Sequence, residues 1–237
     1  MRAETLRVGR GLARCRLLGH ESCATRTSMP KNAFHSVRTR DRGKVSTRSV
    51  VNDNVMMTEL SEFRADKDDF FRADPRSPLL PQQQVTFEGL SYFPANKSLV
   101  IRGKLEVEGI DTNARIVMQT TTGGEQVYRR AGIVRFDVDG EQAVVTLYAS
   151  PGSHELFLPF RDATSGRDTY GAGRYLEVEL PSLDGNVVID FNYAYSPFCA
   201  YNPNWSCPVP PGENWLAVPI RAGEMSFPGA YEVEEVG

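Results

Sequence analysis

The chain has 237 residues, of which 41% are hydrophobic and 24% are charged. This length suffices for one well-filled hydrophobic core and is short for two, and the composition is that of a globular protein. No stretch approaches the roughly 18 consecutive apolar residues needed to span a bilayer, so we expect no membrane-embedded segment.

The net charge of −3 is divided unevenly along the chain. Residues 1–55 hold twelve Lys or Arg against four Asp or Glu, whereas residues 56–237 hold 15 basic and 26 acidic residues. An acidic body repels phosphate backbones, so we expect no nucleic-acid partner. A secretory signal is not visible either, and we expect a cytoplasmic protein.

The first 56 residues form a basic leader, rich in Arg, Ser and Thr, without sustained hydrophobic periodicity. Three interpretations compete: an organellar transit peptide, a basic disordered arm, or translation from a start codon placed too far upstream. We favour the third, because Met56-Met57 is followed at once by a helix pattern. The expected organisation is a leader over residues 1–56 and a single β-rich domain over residues 57–237.

The domain is expected to open with a helix that Thr58 caps and that ends near Asp74, before Pro75. Its apolar residues recur at helical spacing, and the aliphatic stem of Lys67 can cover the gap between them. The apolar face comprises Leu60, Phe63, Phe70 and Phe71. Residues 76–81 are then expected to form a loop.

From Val85 onward the pattern changes to short strands. Asp139-Gly140 and Asp184-Gly185 each lie between two such runs, which predicts two hairpins. The expected strands are residues 85–87, 99–107, 115–120, 126–130, 133–138, 142–149, 175–180 and 186–191. The fold class is therefore mainly β, an antiparallel sandwich or barrel with one N-terminal helix.

Two long polar segments interrupt these strands, residues 158–175 and residues 190–214. Connections of this length are usually functional or disordered, and their aromatic residues and prolines argue against disorder. Tyr195, Tyr201, Trp205 and Trp215 could stack on a ligand ring, although such residues more often pack in a core.

The same segments resemble a known family. The strings that carry the resemblance are FRADKDDFFRADPRSPL, TTTGGE, LPFRDATSGRDTYGAGRYLE, DFNYAYSPFCAYNPNWSCPVPPGEN and PIRAGE. They resemble the uncharacterised prokaryotic family called domain of unknown function 1684, over about residues 62–224. Family members often carry Arg, Asn and Gly where this chain has Tyr193, Ser196 and Ala172. The family implies no activity, so the chemistry must be argued from the residues.

Cys199 and Cys207 have a C-x7-C spacing that matches neither a zinc site nor a thioredoxin motif. Zinc prefers four Cys or His ligands, and His154 is the one histidine of residues 57–237, so we expect no metal and no cofactor. The cysteines could be small buried apolar residues, a disulfide, or a nucleophile assisted by His154.

The leading functional hypothesis is a site for an anionic or polar small molecule between the two polar segments. Arg161 and Arg174 could form a fork for a carboxylate or phosphate, although Arg-Asp pairs in long loops often only hold the loop to a sheet. The candidate ligand-binding residues are Arg161, Arg174, Tyr175, Asn192, Tyr195 and Asn202.

Two alternatives belong to other classes. A hydrolytic or other enzyme could use Asp162, Asp168 or Glu213 as acid or base, and carboxylates fully paired with Arg would count against it. A structural or interaction domain would instead present a large exposed apolar patch. Oligomeric state and the choice between enzyme and binding domain stay open at this point.

Overall fold

The computed structural model describes residues 49–228. The expectations for residues 1–48, including Cys15 and Cys23, lie outside the described residues. Within them the chain forms one long N-terminal helix, a short second helix and two antiparallel sheets, so the predicted mainly-β class is confirmed. The described part of the large sheet is open rather than closed into a barrel.

Helix α1 spans Ser49–Ala73, and its end next to Asp74 agrees with the prediction. The expected cap at Thr58 is wrong, because neither proline nor glycine interrupts the sequence from Ser49 onward and the helical hydrogen bonds continue through Thr58. The helix thus crosses the expected boundary at residue 57, and the division into leader and domain stays a prediction. Within residues 49–228, no helix combines the length and apolar character that crossing a membrane requires.

Helix α2 spans Pro81–Val85. It begins at the last residue of the expected loop, and it includes Val85, the first residue of the expected strand 85–87. The prediction of that strand is therefore wrong. Pro81 supplies a backbone already set for the first helical turn. The Gln83 side chain accepts a hydrogen bond from the backbone N–H of Leu80 at 2.7 Å, which closes the turn. Val85 stays largely exposed.

Between residues 49 and 228, seven strands form the two sheets. They are β1 (Val100–Lys104), β2 (Arg115–Gln119), β3 (Glu125–Val138), β4 (Glu141–Ala149), β5 (Glu155–Phe160), β6 (Arg174–Glu179) and β7 (Asn186–Asp190). The large sheet has the order β2-β3-β4-β5-β6, and the small sheet pairs β1 with β7.

The hairpin at Asp139-Gly140 is confirmed, with φ of 53° and 90° at the two turn residues. Such a turn needs left-handed backbone at both positions, which Asp and Gly tolerate. Strand β3 merges the two predicted strands on either side of Ala131 into one, with a register shift between Arg130 and Gly132. The shift bends the strand without ending it.

The predicted hairpin at Asp184-Gly185 is wrong. Strand β6 pairs with β5 in the large sheet, and β7 crosses to pair with β1 in the small one. Strand β5 was not predicted. Pro159 weakens its strand pattern, because proline cannot donate a backbone hydrogen bond to a neighbouring strand. In the structure, Pro159 lies opposite Tyr175 of β6.

The main core lies between the two sheets. The large sheet contributes Val134, Val145, Leu147, Leu158 and Phe160, and the small sheet contributes Val187 and Ile189. A second, aromatic cluster packs helix α1 against residues 195–207. Phe71 is at its centre, with its ring 4.8 Å from the ring of Tyr201. The helix thereby covers the segment that contains both cysteines.

Candidate functional site

Asp162 anchors the segment of residues 158–175 to the C-terminal part of the chain. Its carboxylate accepts hydrogen bonds from the Thr164 hydroxyl at 2.9 Å and from the backbone N–H of Ile220 at 2.6 Å. Arg174 reaches the same carboxylate at 3.5 Å, and both side chains are withdrawn from solvent. A buried carboxylate with these partners has its acceptor sites occupied by the protein itself.

Arg174 is the most deeply placed of the candidate ligand-binding residues. Its guanidinium donates to the backbone oxygens of Ile220 at 2.8 Å, Ala222 at 2.5 Å and Glu224 at 3.2 Å. Burial lowers the pKa of Arg174, and the neighbouring carboxylate of Asp162 opposes this effect. The carbonyl oxygens hold the positions that a bound anion would need, so Arg174 fastens residues 220–224 to strand β6.

Tyr175 and Tyr195 join the two polar segments. Each backbone N–H donates to the carbonyl of the other, at 2.8 and 3.0 Å. The Tyr175 hydroxyl donates to the carbonyl of Pro208, and the Tyr195 hydroxyl donates to Glu177 at 2.5 Å. Burial raises the pKa of both phenols, so both stay protonated donors at neutral pH.

The two candidate asparagines contact backbone groups in separate places. The Asn192 side chain exchanges hydrogen bonds with the backbone of Asn96, at 2.7 and 2.9 Å. The Asn202 carbonyl oxygen accepts from the backbone N–H of Asn204 at 3.0 Å, as in an Asx turn. Both contacts fix loops, and the structure does not bring the two side chains together.

Asp168 lies at the surface of the Gly-rich loop, where it forms an ion pair of 3.0 Å with Arg221. The Arg221 side chain is largely exposed, and the Asp168 side chain is partly exposed. The backbone carbonyl of Asp168 also accepts from the N–H of Ser226 at 2.9 Å. Asp168 is thus separate from Asp162, and it fastens the outer part of the same loop.

Asn214 occupies a split in the large sheet. Strands β4 and β5 pair only at Tyr148–Phe157 and Ala149–Leu156, and then they diverge. In the gap, the Asn214 amide accepts from the N–H of Thr146 at 2.7 Å and donates to the carbonyls of Thr146 at 2.9 Å and Pro159 at 2.7 Å. One buried side chain thus replaces the missing strand-to-strand bonds.

The chain around Asn214, which fills the gap between β4 and β5, brings Trp215 beside Arg161. The Arg161 N–H donates to the Asn214 carbonyl at 3.0 Å, and the Leu216 N–H donates to the Arg161 carbonyl at 2.8 Å. The guanidinium of Arg161 lies 4.5 Å from the centre of the Trp215 ring, a cation–π contact. Trp215 stays 55% exposed, although its Nε1 donates to the Pro210 carbonyl at 2.9 Å.

Glu213 directly precedes Asn214, and its side chain is held by Arg130 and Tyr148 of the large sheet. Arg130 donates two hydrogen bonds to the Glu213 carboxylate, from Nε at 3.0 Å and from Nη2 at 2.7 Å. The Tyr148 hydroxyl donates to the same carboxylate. Arg130 holds the pKa of Glu213 below its usual range, while burial and the carboxylate raise the pKa of Tyr148. Glu213 is therefore ionised at neutral pH, and Tyr148 is protonated.

We call the five residues Arg130, Tyr148, Arg161, Glu213 and Trp215 the Trp215 cluster. It unites Arg161 with Glu213, one candidate from each polar segment, through the backbone of residues 213–215. The remaining candidates lie elsewhere, namely Asp162, Asp168, Arg174, Tyr175, Asn192, Tyr195 and Asn202.

Sequence reasoning did not select Arg130, Tyr148 or Asn214. The polar and aromatic residues Glu213-Asn214-Trp215, which follow Pro210 and Pro211 closely, could have pointed to Asn214. No local sequence pattern marks Arg130 or Tyr148. Over residues 49–228, the structure places no three Cys, His, Asp or Glu side chains where they could jointly hold a metal ion.

Comparisons with known proteins identify a family and a similar solved structure. The sequence model of a family described as "Protein of unknown function (DUF1684)" matches residues 85–225. A solution NMR structure of an uncharacterized protein from Haloarcula marismortui is similar, with 35% identity and a TM-score of 0.58 over 75% of this chain and 97% of that one. No curated protein sequence matches the chain.

Proposed function

This chain belongs to the DUF1684 family of proteins of unknown function, and from its own side chains we propose that it binds an anionic or polar small molecule at the Trp215 cluster. The proposal keeps the location expected between the two polar segments, but it centres on the bridge between Arg161, in the first segment, and Trp215, which directly follows the second.

The observation that carries the proposal is a tryptophan that is exposed and yet held in place. A large aromatic ring left in water forgoes the free energy that burial would give, about 25 cal/mol for each Å². Trp215 is nevertheless fixed by its Nε1 bond to Pro210, by the bridge to Arg161 and by Asn214 in the split sheet. A rigid exposed ring beside polar groups is typical of a binding surface.

The charges of the cluster favour an anionic ligand that contains a flat ring. The guanidinium of Arg161 lies over Trp215, and that of Arg130 is paired with the carboxylate of Glu213, two residues before Trp215 in the chain. The net charge of these groups is positive on a domain that is acidic overall. Trp215 offers an aromatic face for stacking, while the fork of Arg161 can bind a carboxylate or phosphate.

The ion pairs favour binding over hydrolysis. Each of the three candidate catalytic carboxylates contacts an arginine: Glu213 at 2.7 Å, Asp168 at 3.0 Å and Asp162 at 3.5 Å. Arg130 holds the pKa of Glu213 below its usual range, so this carboxylate is a weak base and is not a proton donor at neutral pH. The enzyme is therefore the weaker of the two proposals.

A fluorescence titration tests the proposal. Replacing the second tryptophan, Trp205→Phe, leaves Trp215 as the reporter, and the protein is titrated with a panel of ring-containing carboxylates and phosphates. A bound anion should change the emission of Trp215, and Arg161→Ala should weaken the affinity at least tenfold. Arg221→Ala, which removes an exposed arginine outside the cluster, is the matched control and should leave the affinity unchanged.

Thermal stability supplies a second readout. A ligand at about a hundred times its dissociation constant stabilises the fold by about 2.7 kcal/mol, a shift of a few degrees in Tm. The proposal is abandoned if no compound of the panel changes either the Trp215 emission or Tm, or if Arg161→Ala and Arg221→Ala weaken binding equally.

A further inference from the structure

The two cysteines of the aromatic cluster are free thiols that face each other. Cys199 lies in the short 3-10 helix Phe198–Ala200, and its backbone N–H donates to Sγ of Cys207 at 3.4 Å. Cys207 is fixed from the other side, because its N–H donates to the Thr121 hydroxyl at 3.1 Å and its carbonyl accepts from the Thr121 N–H at 2.9 Å. The fold thus brings the two sulfur atoms together and holds both backbones.

The surroundings of the two sulfur atoms are unequal. The Tyr170 hydroxyl donates to Sγ of Cys199 at 3.8 Å, and the Cys207 side chain lies beside the same sulfur. Hydrogen bonds to a thiolate favour the charged form, so these neighbours lower the pKa of Cys199. Contact with Cys199, together with burial, raises the pKa of Cys207. The side-chain donor at Cys199, the Tyr170 hydroxyl, therefore favours Cys199 as the attacking thiolate and Cys207 as its protonated partner.

Burial limits what can reach the pair. Cys199 is 3% exposed and Cys207 is 7% exposed, so a protein disulfide or a tripeptide disulfide cannot approach without displacing the loop between them. Hydrogen peroxide is close to water in size and carries no charge. It is the class of oxidant that suits a thiolate at this depth.

We propose that Cys199 and Cys207 form a peroxide-reactive dithiol, in which Cys199 is oxidised first and Cys207 resolves it to a disulfide. The inference rests on residues outside the Trp215 cluster and is independent of the ligand proposed there. It assigns the pair a chemical role beyond packing.

The reaction balances with hydrogen peroxide as the oxidant. The Cys199 thiolate attacks one oxygen, the O–O bond breaks, hydroxide leaves, and Cys199 becomes a sulfenic acid. The sulfur of Cys207 then attacks the sulfur of Cys199, the S–O bond breaks, and the hydroxyl leaves as water with the proton of the Cys207 thiol. Two thiol groups are oxidised and one peroxide is reduced.

The test uses the full chain with Cys15→Ser and Cys23→Ser, so that only the buried pair can react. The folded protein is treated with hydrogen peroxide, quenched, unfolded and alkylated, and its peptides are weighed. The expected product links the peptides of Cys199 and Cys207, with a mass lower by two hydrogens and without alkylation. Finding both cysteines alkylated after treatment of the folded protein would overturn the proposal.

Two variants test the order of the steps. Cys207→Ala should stop the reaction at the sulfenic acid of Cys199, which dimedone traps, whereas Cys199→Ala should leave Cys207 unlabelled. Tyr170→Phe, which keeps the ring and removes the donor, should slow disulfide formation several-fold. If Cys207 is the residue that dimedone labels, or if the peroxide rate of folded Tyr170→Phe equals that of the parent, Cys199 is not the activated thiol.

The role of the fold is tested without any variant, by comparing the folded parent protein with the unfolded parent protein. The same peroxide treatment is applied to the parent unfolded in denaturant, where the two thiols have ordinary reactivity. The folded protein should form the disulfide several-fold faster than the unfolded one. An equal or slower rate would mean that the fold only buries the pair.

Discussion

Nζ of Lys67 lies 2.5 Å from Oε2 of Glu224, and both side chains are buried. Glu224 also accepts from the Tyr201 hydroxyl, and from the backbone N–H of Ser196 at 3.4 Å. The ammonium lies 5.0 Å from the centre of the Tyr195 ring. Burial raises the pKa of Glu224, and the charge of Lys67 opposes this rise. The pair fastens helix α1 to the C-terminal segment inside an aromatic cluster.

We expect either half of this pair to be costly to remove alone. Lys67→Met should lower the free energy of unfolding by about 3–5 kcal/mol, because it leaves the Glu224 carboxylate buried without its cation. The double variant Lys67→Met, Glu224→Leu should recover most of that loss, since it removes both charges. Urea unfolding of the single and double variants measures the coupling.

The matched control is Arg72→Ala, on the same helix, whose pair with Asp69 is exposed. An exposed pair contributes about 0–1 kcal/mol, so this change should be nearly silent. A double variant no more stable than Lys67→Met would show that Leu cannot pack at residue 224 or that the Tyr201 bond matters more than the ion pair.

Arg174 is predicted to act on stability rather than on ligand affinity. Arg174→Met should cost about 3–5 kcal/mol, because it strands the Asp162 carboxylate and frees three buried carbonyl oxygens of residues 220–224. Arg221→Ala removes an exposed arginine from the same loop system and should cost less than about 1 kcal/mol. Chemical denaturation separates the two, and equal losses would contradict a structural role for Arg174.

The arginines show where sequence reasoning reaches its limit. The same letters, Arg beside a Gly-rich loop, describe both Arg161, which lies against an exposed ring, and Arg174, which donates to buried carbonyls. The acceptors of Arg174 come from residues 220–224, which lie far along the chain and carry no signal in their side chains. Periodicity predicted most strands, and Pro75 predicted the end of helix α1, because both signals depend on neighbouring residues.

Strand partners were less predictable than strands. Asp139-Gly140 identified its hairpin because a two-residue turn specifies both the bend and the pairing. Asp184-Gly185 did not, since strand β7 is recruited to β1 by burial of Val187 and Ile189 against the other sheet. Lys67 was expected to cover apolar neighbours with its stem, and the burial of its charge depends on Glu224, a partner 157 residues away.

Asn214 should be among the residues least tolerant of truncation. Asn214→Ala leaves the backbone groups of Thr146 and Pro159 unpaired in a buried gap, and we expect a loss of about 2–4 kcal/mol. Because the residue also positions Trp215, the emission of Trp215 should shift in the folded variant. Asn186→Ala, whose side chain is exposed, is the control and should leave both stability and emission nearly unchanged.

The stabilisation from Glu213 should depend on pH. Its pKa in the folded protein lies below the unfolded value of about 4.3, so the contribution is present above that pH and is lost as pH falls through the folded pKa. At pH 7, Glu213→Gln should cost about 1 kcal/mol, a modest value because the pair with Arg130 is partly exposed.

That difference should shrink as the pH is lowered from 7 towards 3 and through the folded pKa, as measured by urea unfolding of both proteins across the range. The exposed Glu141→Gln serves as control, and its effect should stay within about 0.5 kcal/mol at both pH values. A cost of Glu213→Gln that is the same at pH 7 and pH 3 would mean that the carboxylate charge contributes nothing.

Gly173 occupies a position that no other residue fits. Its φ is +106°, and a Cβ there would lie 2.6 Å from the carbonyl oxygen of Phe160. Gly173→Ala should therefore destabilise the fold by more than about 2 kcal/mol, from strain and from the clash. Gly109→Ala, at φ +75° in open space, isolates the strain and should cost about 1 kcal/mol. Equal melting temperatures for the two variants would contradict the packing around Gly173.

The pairing of Lys67 with Glu224 also bears on how the chain folds. A contact between residues so far apart in sequence closes a long loop, and folding slows as such distant contacts come to dominate. The hairpin of β3 and β4 can form early because its partners are adjacent. Docking of helix α1 must wait until residues 220–224 have reached strand β6, so we expect that step to come late and to govern the folding rate.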